Sequence, residues 1–326
     1  MTVPVLSGDP WLRRVLRLRV VRVVARGLSV ALSVATVAFL IVRLAPGDPV
    51  RAILGDQATP ASLEALRTQL GLDGNLLSQY VKFIGDILRW DLGRSLTSGT
   101  PVTTIIGASI LPTISLVALT TLVAFLLSIP VGVRLAIKPD GVFGRFFQVF
   151  SALFLSAPGF FLGLLALLLF AMRLGLAPVA GFRAGFPEAL RYLWLPALVI
   201  CAQLVPILAR VLRTSVARTL EEEFVEVAIV RGVGPLSFYW NHLIRPSIAP
   251  TIALLGYIMG QLLGASVMIE MVFDIPGIGT QLVRAVTTRD YPTVQGVILT
   301  FGFLVVIITT LSEMVTSYLD PRTGDQ

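Results

Sequence analysis

Residues 221–245 read EEEFVEVAIVRGVGPLSFYWNHLIR and separate two long apolar runs, at about 194–214 and 248–270. Each run is long enough to cross a hydrocarbon core of ~30 Å, which takes about 20 apolar residues in a helix. The segment between them carries four glutamates, two arginines and the single histidine. It therefore belongs in water, between two membrane crossings, and the rest of the chain is read outward from it.

The composition suits lipid. Hydrophobic residues make up 55 % of the 326 residues and charged residues only 14 %, where a soluble domain carries about a quarter. Apolar runs at about 27–44, 110–134, 147–171, 194–214, 248–270 and 295–317 predict an all-α integral membrane protein of about six spans. Helices are expected because backbone groups in lipid must be satisfied within the segment. A transmembrane barrel would show short alternating segments instead. The net charge of +7 is read as arginine and lysine flanking spans beside anionic lipid, not as nucleic-acid binding.

Cysteine and histidine usage narrows the chemistry. One cysteine, Cys201, excludes an internal disulfide and a Cys-rich metal site. One histidine, His242, excludes a His-cluster metal centre and most His-based catalysis. The patterns GxxxxGK[ST], GxSxG and HExxH are absent, so no nucleotide loop and no hydrolytic motif is read here. No catalytic residue and no metal ligand is assigned, and a non-catalytic role is expected.

Orientation follows from lysine and arginine. Fifteen of them fall on segments assigned to the cytoplasm, including residues 11–26 and the 221–245 segment, and five on the short external loops. The long segment 45–103 carries five more, but long loops translocate largely regardless of charge. Both termini and the 221–245 loop are therefore expected inside. Residues 11–26, WLRRVLRLRVVRVVAR, mix six arginines with an apolar stripe, which predicts an amphipathic helix on the inner leaflet. A signal-peptide n-region is the rival reading.

The external segment predicts short helices packed on the outer face. Thr59-Pro60 precedes ASLEALRTQLGL, with Pro at the start and Gly71 at the end. LLSQYVKFIGDILRW then repeats apolar residues at three and four. They would form a structural lid or part of a docking surface for an external partner. The chain thus divides into 1–103 (amphipathic N-terminus, first span, external segment) and a five-span core, 104–322. Pro112, Pro130, Pro158, Pro196, Pro206 and Pro250 punctuate the spans, where each can kink a helix and free a carbonyl.

Within 221–245, Glu221 to Arg231 favours a helix with acids in its first turn, matching the dipole. Phe224, Val225, Val227 and Ala228 form a small apolar face, and Gly232 is a typical stop. Gly234-Pro235 restarts the helix, with Pro in its favoured first turn. Leu236, Tyr239, Trp240 and Leu243 give a second, aromatic face. Exposed aromatics of this kind seek a partner groove.

Glu226-Val227-Ala228, followed by Gly232, resembles the EAA-type loop of ABC importer permeases. Val stands where that family has its second Ala, and Arg245 where it has a Pro. GVGPLSFYWNHLIRPSIAP resembles the dipeptide and oligopeptide branch. So do LAPGDP (44–49), LGLD (70–73), WDLGRS (90–95), FDIPGIG (273–279), RDYP (289–292) and LDPR (319–322). The resemblance covers nearly the whole length. It implies a type I importer-like permease subunit in the bacterial plasma membrane. A second homologous permease, cytoplasmic ATP-binding subunits and an extracytoplasmic binding protein would be its partners, and ATP and Mg would be bound by the ATPase subunits and not by this chain. It assigns ATPase coupling to Glu223, Glu226, Val227, Ala228, Gly232, Pro235, Tyr239, Trp240, His242 and Arg245, and places IPGIG near the outer gate.

Polar groups within spans are functional candidates. Gln203, Gln261, Met268 and Glu270 are assigned to the translocation path, and Glu313 lies near the inner interface. Interhelical hydrogen bonding is the plainer reading for the two glutamines. Dipeptides or oligopeptides are the expected substrate, and a nickel complex, glutathione or another peptide-like solute is the alternative within the family. A secondary transporter would need midplane ionisable groups or an inverted repeat, and an intramembrane enzyme would need paired acids or a metal motif.

Overall fold

The computed structural model describes residues 27–41, 43, 50, 59–69 and 74–319. The amphipathic 11–26 segment, the motif stretches 44–49, 70–73 and 320–322, and the side chain of Glu313 lie outside the described residues. Among the described residues the chain is helical, apart from one isolated bridge between Arg94 and Pro101.

Among the described residues three helices precede the core, namely α1 (Gly27–Ile41), α2 (Pro60–Gln69) and α3 (Leu76–Leu88). The core contains α4 (Val102–Ile137), α5 (Val142–Ser156), α6 (Gly159–Ala166, continued by a wide π-type turn over Leu167–Arg173) and α7 (Glu188–Leu220). The loop of the opening stretch forms α8 (Glu223–Val230) and a bent segment α9 (Pro235–Ser237, the π-type turn Phe238–Ile244, and Arg245–Ser247). The chain closes with α10 (Ala249–Val272), α11 (Ile278–Thr287) and α12 (Tyr291–Leu319).

Among the described residues four helices, α4, α7, α10 and α12, are long and apolar enough to cross a membrane. α4, α7 and α12 run past the predicted crossings at both ends, because flanking residues continue the helix once the apolar run has set it, and α10 matches its crossing to within two residues. α1 is a shorter apolar helix at the first predicted span. The third span departs from expectation. In place of one helix over 147–171, α5 and α6 meet at a bend of 105°.

The cause of that bend lies in the sequence, at Ala157-Pro158. A proline drives the preceding residue out of the helical region, and Ala157 is extended (φ −86°, ψ 136°). The missing Pro158 N–H would have served the carbonyl four residues back, at Phe154. The Gln203 amide takes its place, donating to Phe154 O at 3.1 Å and Ala157 O at 2.8 Å. Pro112, Pro130, Pro196 and Pro206 remain inside continuous helices.

The core is built on α4 against α7, with α10 and α12 packed beside them. Leu116, Ala124, Cys201, Leu204 and Leu208 fill the centre of the α4–α7 seam, and Leu263 and Ile269 close it from α10. Cys201 Sγ contacts Thr120 O at 3.5 Å across the seam. In lipid such contacts act through close packing and interhelical hydrogen bonds, since tails are as apolar as the side chains they replace.

Candidate functional site

The loop folds as the sequence predicts, as helix, turn and helix. α8 has Glu223 and Glu226 in its first turn, where the macrodipole favours acids. It stops at Gly232, which holds φ +66° and donates its N–H to Ile229 O. That left-handed turn suits glycine and excludes proline. Pro235 then opens the second half at its first turn.

The faces sort differently from the sequence reading. Val225 and Ala228 turn inward and are buried, and so is Leu243. Phe224, Val227, Leu236, Tyr239 and Trp240 are exposed. Leu243 does not share the Tyr239–Trp240 face because the π-type turn shifts the register, as a five-residue hydrogen-bonded step must. Glu223, Glu226, Gly232, Pro235 and Arg245 are exposed. His242 is half-buried, stacks on Phe238 at 6.1 Å, and its Nδ1 is shielded without a hydrogen-bond partner. Of the ten residues assigned to coupling, Ala228 alone is buried.

The base of the loop is pinned by a pair that the sequence reading missed. Thr219 at the end of α7 and Ser247 at the end of α9 share a buried hydroxyl–hydroxyl hydrogen bond of 2.7 Å. Leu220 and Ile244 pack beside it on Val133, Leu212 and Val216. The tie joins the base of the loop to α7, and the packing joins it to α4. Two small polar residues flanking the loop were the only signal for this tie.

At the other end of α10, Glu270 is fully buried (0 %). Its Oε1 accepts from the Thr113 hydroxyl at 2.7 Å and from Ser266 at 3.4 Å. Its Oε2 accepts the Gly279 N–H at 2.8 Å and the Thr280 N–H at 3.2 Å. Thr113 Oγ1 in turn accepts the Ile278 N–H at 2.9 Å. Glu270 and Thr113 together satisfy the open N–H groups that begin any helix, here those of α11. The glycines of IPGIG make this possible. A Cβ on Gly277 would stand 2.4 Å from the Glu270 carboxyl, and one on Gly279 2.7 Å from Val267 Cα.

The four residues assigned to the path thus separate. Gln203 braces the broken third span and Glu270 fastens α11. Gln261 and Met268 lie seven residues apart on an exposed face of α10 that also carries Tyr257. A second acid, Asp290, is buried at the start of α12. It accepts from the Ser95 hydroxyl at 2.5 Å, the Leu96 N–H at 3.0 Å and the Thr293 hydroxyl at 2.8 Å. The RDYP and WDLGRS stretches are thereby joined. Among the described residues, no group of three or more His, Cys, Asp or Glu gathers as a metal site would need.

Comparison with known proteins supplies the family. Residues 128–325 match the family described as binding-protein-dependent transport system inner membrane component, and residues 15–117 match its N-terminal counterpart. A protein of Brucella abortus (strain 2308), named as a candidate peptide transport system permease, is 35 % identical over 306 residues, which is 92 % of this chain and 96 % of that one. A probable peptide ABC transporter permease of Sinorhizobium fredii is 32 % identical, over 87 % of this chain and 92 % of its own. A nickel import system permease of Staphylococcus aureus is 33 % identical, over 89 % of this chain and 86 % of its own. The chain is a multi-pass membrane protein of the binding-protein-dependent transport system inner membrane component family, an ABC transporter permease.

Proposed function

We propose that this chain imports dipeptides or oligopeptides, driven by separate ATPase subunits that grip the 221–245 loop and supplied by an external binding protein. The observation that carries the coupling is the exposed patch of Phe224, Val227, Leu236, Tyr239 and Trp240 on a loop whose base is pinned to the spans. A solvent-side patch of large apolar groups marks a protein-binding surface. Glu223, Glu226 and Arg245 rim it with charge. The termini and the loop lie in the cytoplasm by the lysine and arginine bias. ATP and Mg are bound by the ATPase partners, and a second, homologous permease completes the path. Gln261 and Met268, on the open face of α10, line that path. The chain itself catalyses no reaction and acts in the bacterial plasma membrane.

Closure of the ATPase pair on nucleotide moves the loop, and the loop moves the helices fastened to it. Bound nucleotide thus biases an equilibrium between inward- and outward-open arrangements. The peptide assignment rests on the named functions of the relatives. A nickel complex is the second reading, because a nickel import permease is similar over most of the chain.

The coupling is tested with Tyr239→Ala combined with Trp240→Ala. Both side chains are exposed, so the fold should persist while co-purification of the ATPase subunits is lost. Retention of the ATPase at wild-type stoichiometry would overturn the docking assignment. The substrate is tested on the binding protein of the same system, by calorimetry with a dipeptide, a pentapeptide and a nickel chelate. Binding of the chelate alone would replace peptide with nickel.

A further inference from the structure

The external segment does not stand clear of the spans. Tyr80 on α3 places its hydroxyl 2.8 Å from that of Thr36 on α1, and Phe39 packs against Tyr80 and Phe83 at 5.1 and 5.6 Å between ring centroids. Just past α3, Trp90 stands edge-on to Phe303 at 6.4 Å. Phe303 lies twelve residues into α12, about 18 Å along its axis from Tyr291 at 1.5 Å per residue. Lys82, Phe83, Asp86 and Ile87 share a cavity wall with Tyr291, Pro292 and Gln295, so α3 sits alongside the first turns of α12, and the Trp90 ring reaches deeper along it.

α3 turns polar as well as apolar residues toward the protein. Its polar residues Gln79, Lys82 and Asp86 line a cavity of about 120 Å³ against Arg43 and Gln295. Arg43 Nε donates to Gln79 Oε1 at 2.9 Å. On the opposite side Leu77, Val81 and Leu88 are 70 %, 63 % and 77 % exposed, and Trp90 is 73 % exposed. The spacing 77, 81, 88 keeps these residues on one helical face. A helix in water turns such a face to the core. Here it faces away from the protein, Trp90 carries it onto the exposed Phe303 of α12, and α1 presents the exposed apolar residues Leu40 and Ile41 next to Phe39.

We propose that α3 is embedded in the leaflet opposite the 221–245 loop, with Leu77, Val81, Leu88 and Trp90 against lipid acyl chains. In the orientation proposed above this is the outer leaflet. The partner is phospholipid and not a second protein chain, because the uncharged face continues the lipid-facing surface of two spans at the same depth. Trp90 extends the apolar face onto α12 at Phe303. Lys82 and Asp86 stay solvated in the cavity behind, which is large enough for several waters.

The test uses the chain with its co-purifying subunits in nanodiscs of phosphatidylethanolamine and phosphatidylglycerol. Spin labels are placed at Leu77→Cys, Val81→Cys, Leu88→Cys and Lys82→Cys in a Cys201→Ala background. Collision with oxygen, which concentrates in lipid, should exceed collision with a soluble nickel chelate severalfold at 77, 81 and 88, and the order should reverse at 82. Dominant nickel-chelate contact at 77, 81 and 88 would place the face in water, and low contact with both reagents would place it under a partner protein. Either result overturns the proposal. A second readout needs no cysteine. Lipids brominated on their acyl chains should quench the fluorescence of the unmodified protein more than that of Trp90→Phe, and equal quenching would also overturn it.

Discussion

Replacing Glu270 with Leu removes the acceptor that fastens α11 while keeping a side chain of similar reach. The Gly279 and Thr280 N–H groups lose their partner at a site that is fully buried. Each orphaned donor costs about 1–3 kcal/mol. The Thr113 hydroxyl also loses its acceptor, though it keeps the Ile278 N–H. Relief from burying a carboxyl group offsets part of this, so the net loss is about 3 kcal/mol, roughly a hundredfold in the opening equilibrium at 1.4 kcal/mol per decade. The chain carries its own probe. Cys201 is 2 % exposed in the α4–α7 seam and reacts with a maleimide only when the core opens. In mild detergent, with opening fast relative to labelling, Glu270→Leu should raise the labelling rate about a hundredfold. Glu270→Gln keeps one acceptor oxygen and should fall between. A Leu variant that labels at the wild-type rate would refute the reasoning, because the four hydrogen bonds would then carry no net stability.

Three further outcomes follow from the same geometry. Gln203→Leu strips the carbonyls of Phe154 and Ala157 of their donor; with interhelical hydrogen bonds averaging about 0.6 and reaching about 1.7 kcal/mol, it should destabilise by about 1–3 kcal/mol, read as a lower midpoint in detergent unfolding. Asp290→Ala takes the acceptor from the buried Ser95 hydroxyl and the half-buried Leu96 N–H, a loss of about 1–3 kcal/mol, and should release the 94–100 turn, seen as amide exchange about tenfold or more faster there and unchanged in α4. Gly232→Pro cannot keep φ +66° and should abolish peptide uptake while membrane insertion and Cys201 protection persist, a combination that normal uptake would contradict.

The parts of this fold that the sequence revealed are those governed by neighbours. Long apolar runs announce membrane helices because lipid accepts little else, and among the described residues four of the six expected crossings lie in helices long enough to span, with a fifth in the bent pair α5–α6; Gly232 with Gly234-Pro235 announces the helix-turn-helix because turn chemistry acts within a few residues. The parts it hid depend on residues far apart in the chain. Pro158 breaks its helix while Pro112 and Pro130 do not, and the amide that receives the freed carbonyls lies 46 to 49 residues away at Gln203. Glu270 read as a path residue because an ionisable group in a span suggests transport. Its partner Thr113, 157 residues earlier, makes it a helix anchor. The facing of Leu243 was hidden for another reason, since a π-type turn changes the period on which face assignments rest. An outward apolar face such as that of α3 reads in sequence as ordinary amphipathicity, and only its placement beside α1 and α12 shows which side is turned out.

These ties converge on α10. Its loop end follows Ser247, bonded to the end of α7, and its far end holds Glu270, bonded to the start of α11. The helix between has 24 residues, about 36 Å at 1.5 Å per residue, and Pro250 sits in its first turn, where proline leaves the ladder intact. A push on the loop therefore reaches the IPGIG turn through one unbroken helix with polar fastenings at both ends. The third span could not carry that load, because its 105° bend lets the two halves yield about Pro158. If the loop is the handle that the ATPase subunits hold, α10 is the element through which α11 must respond.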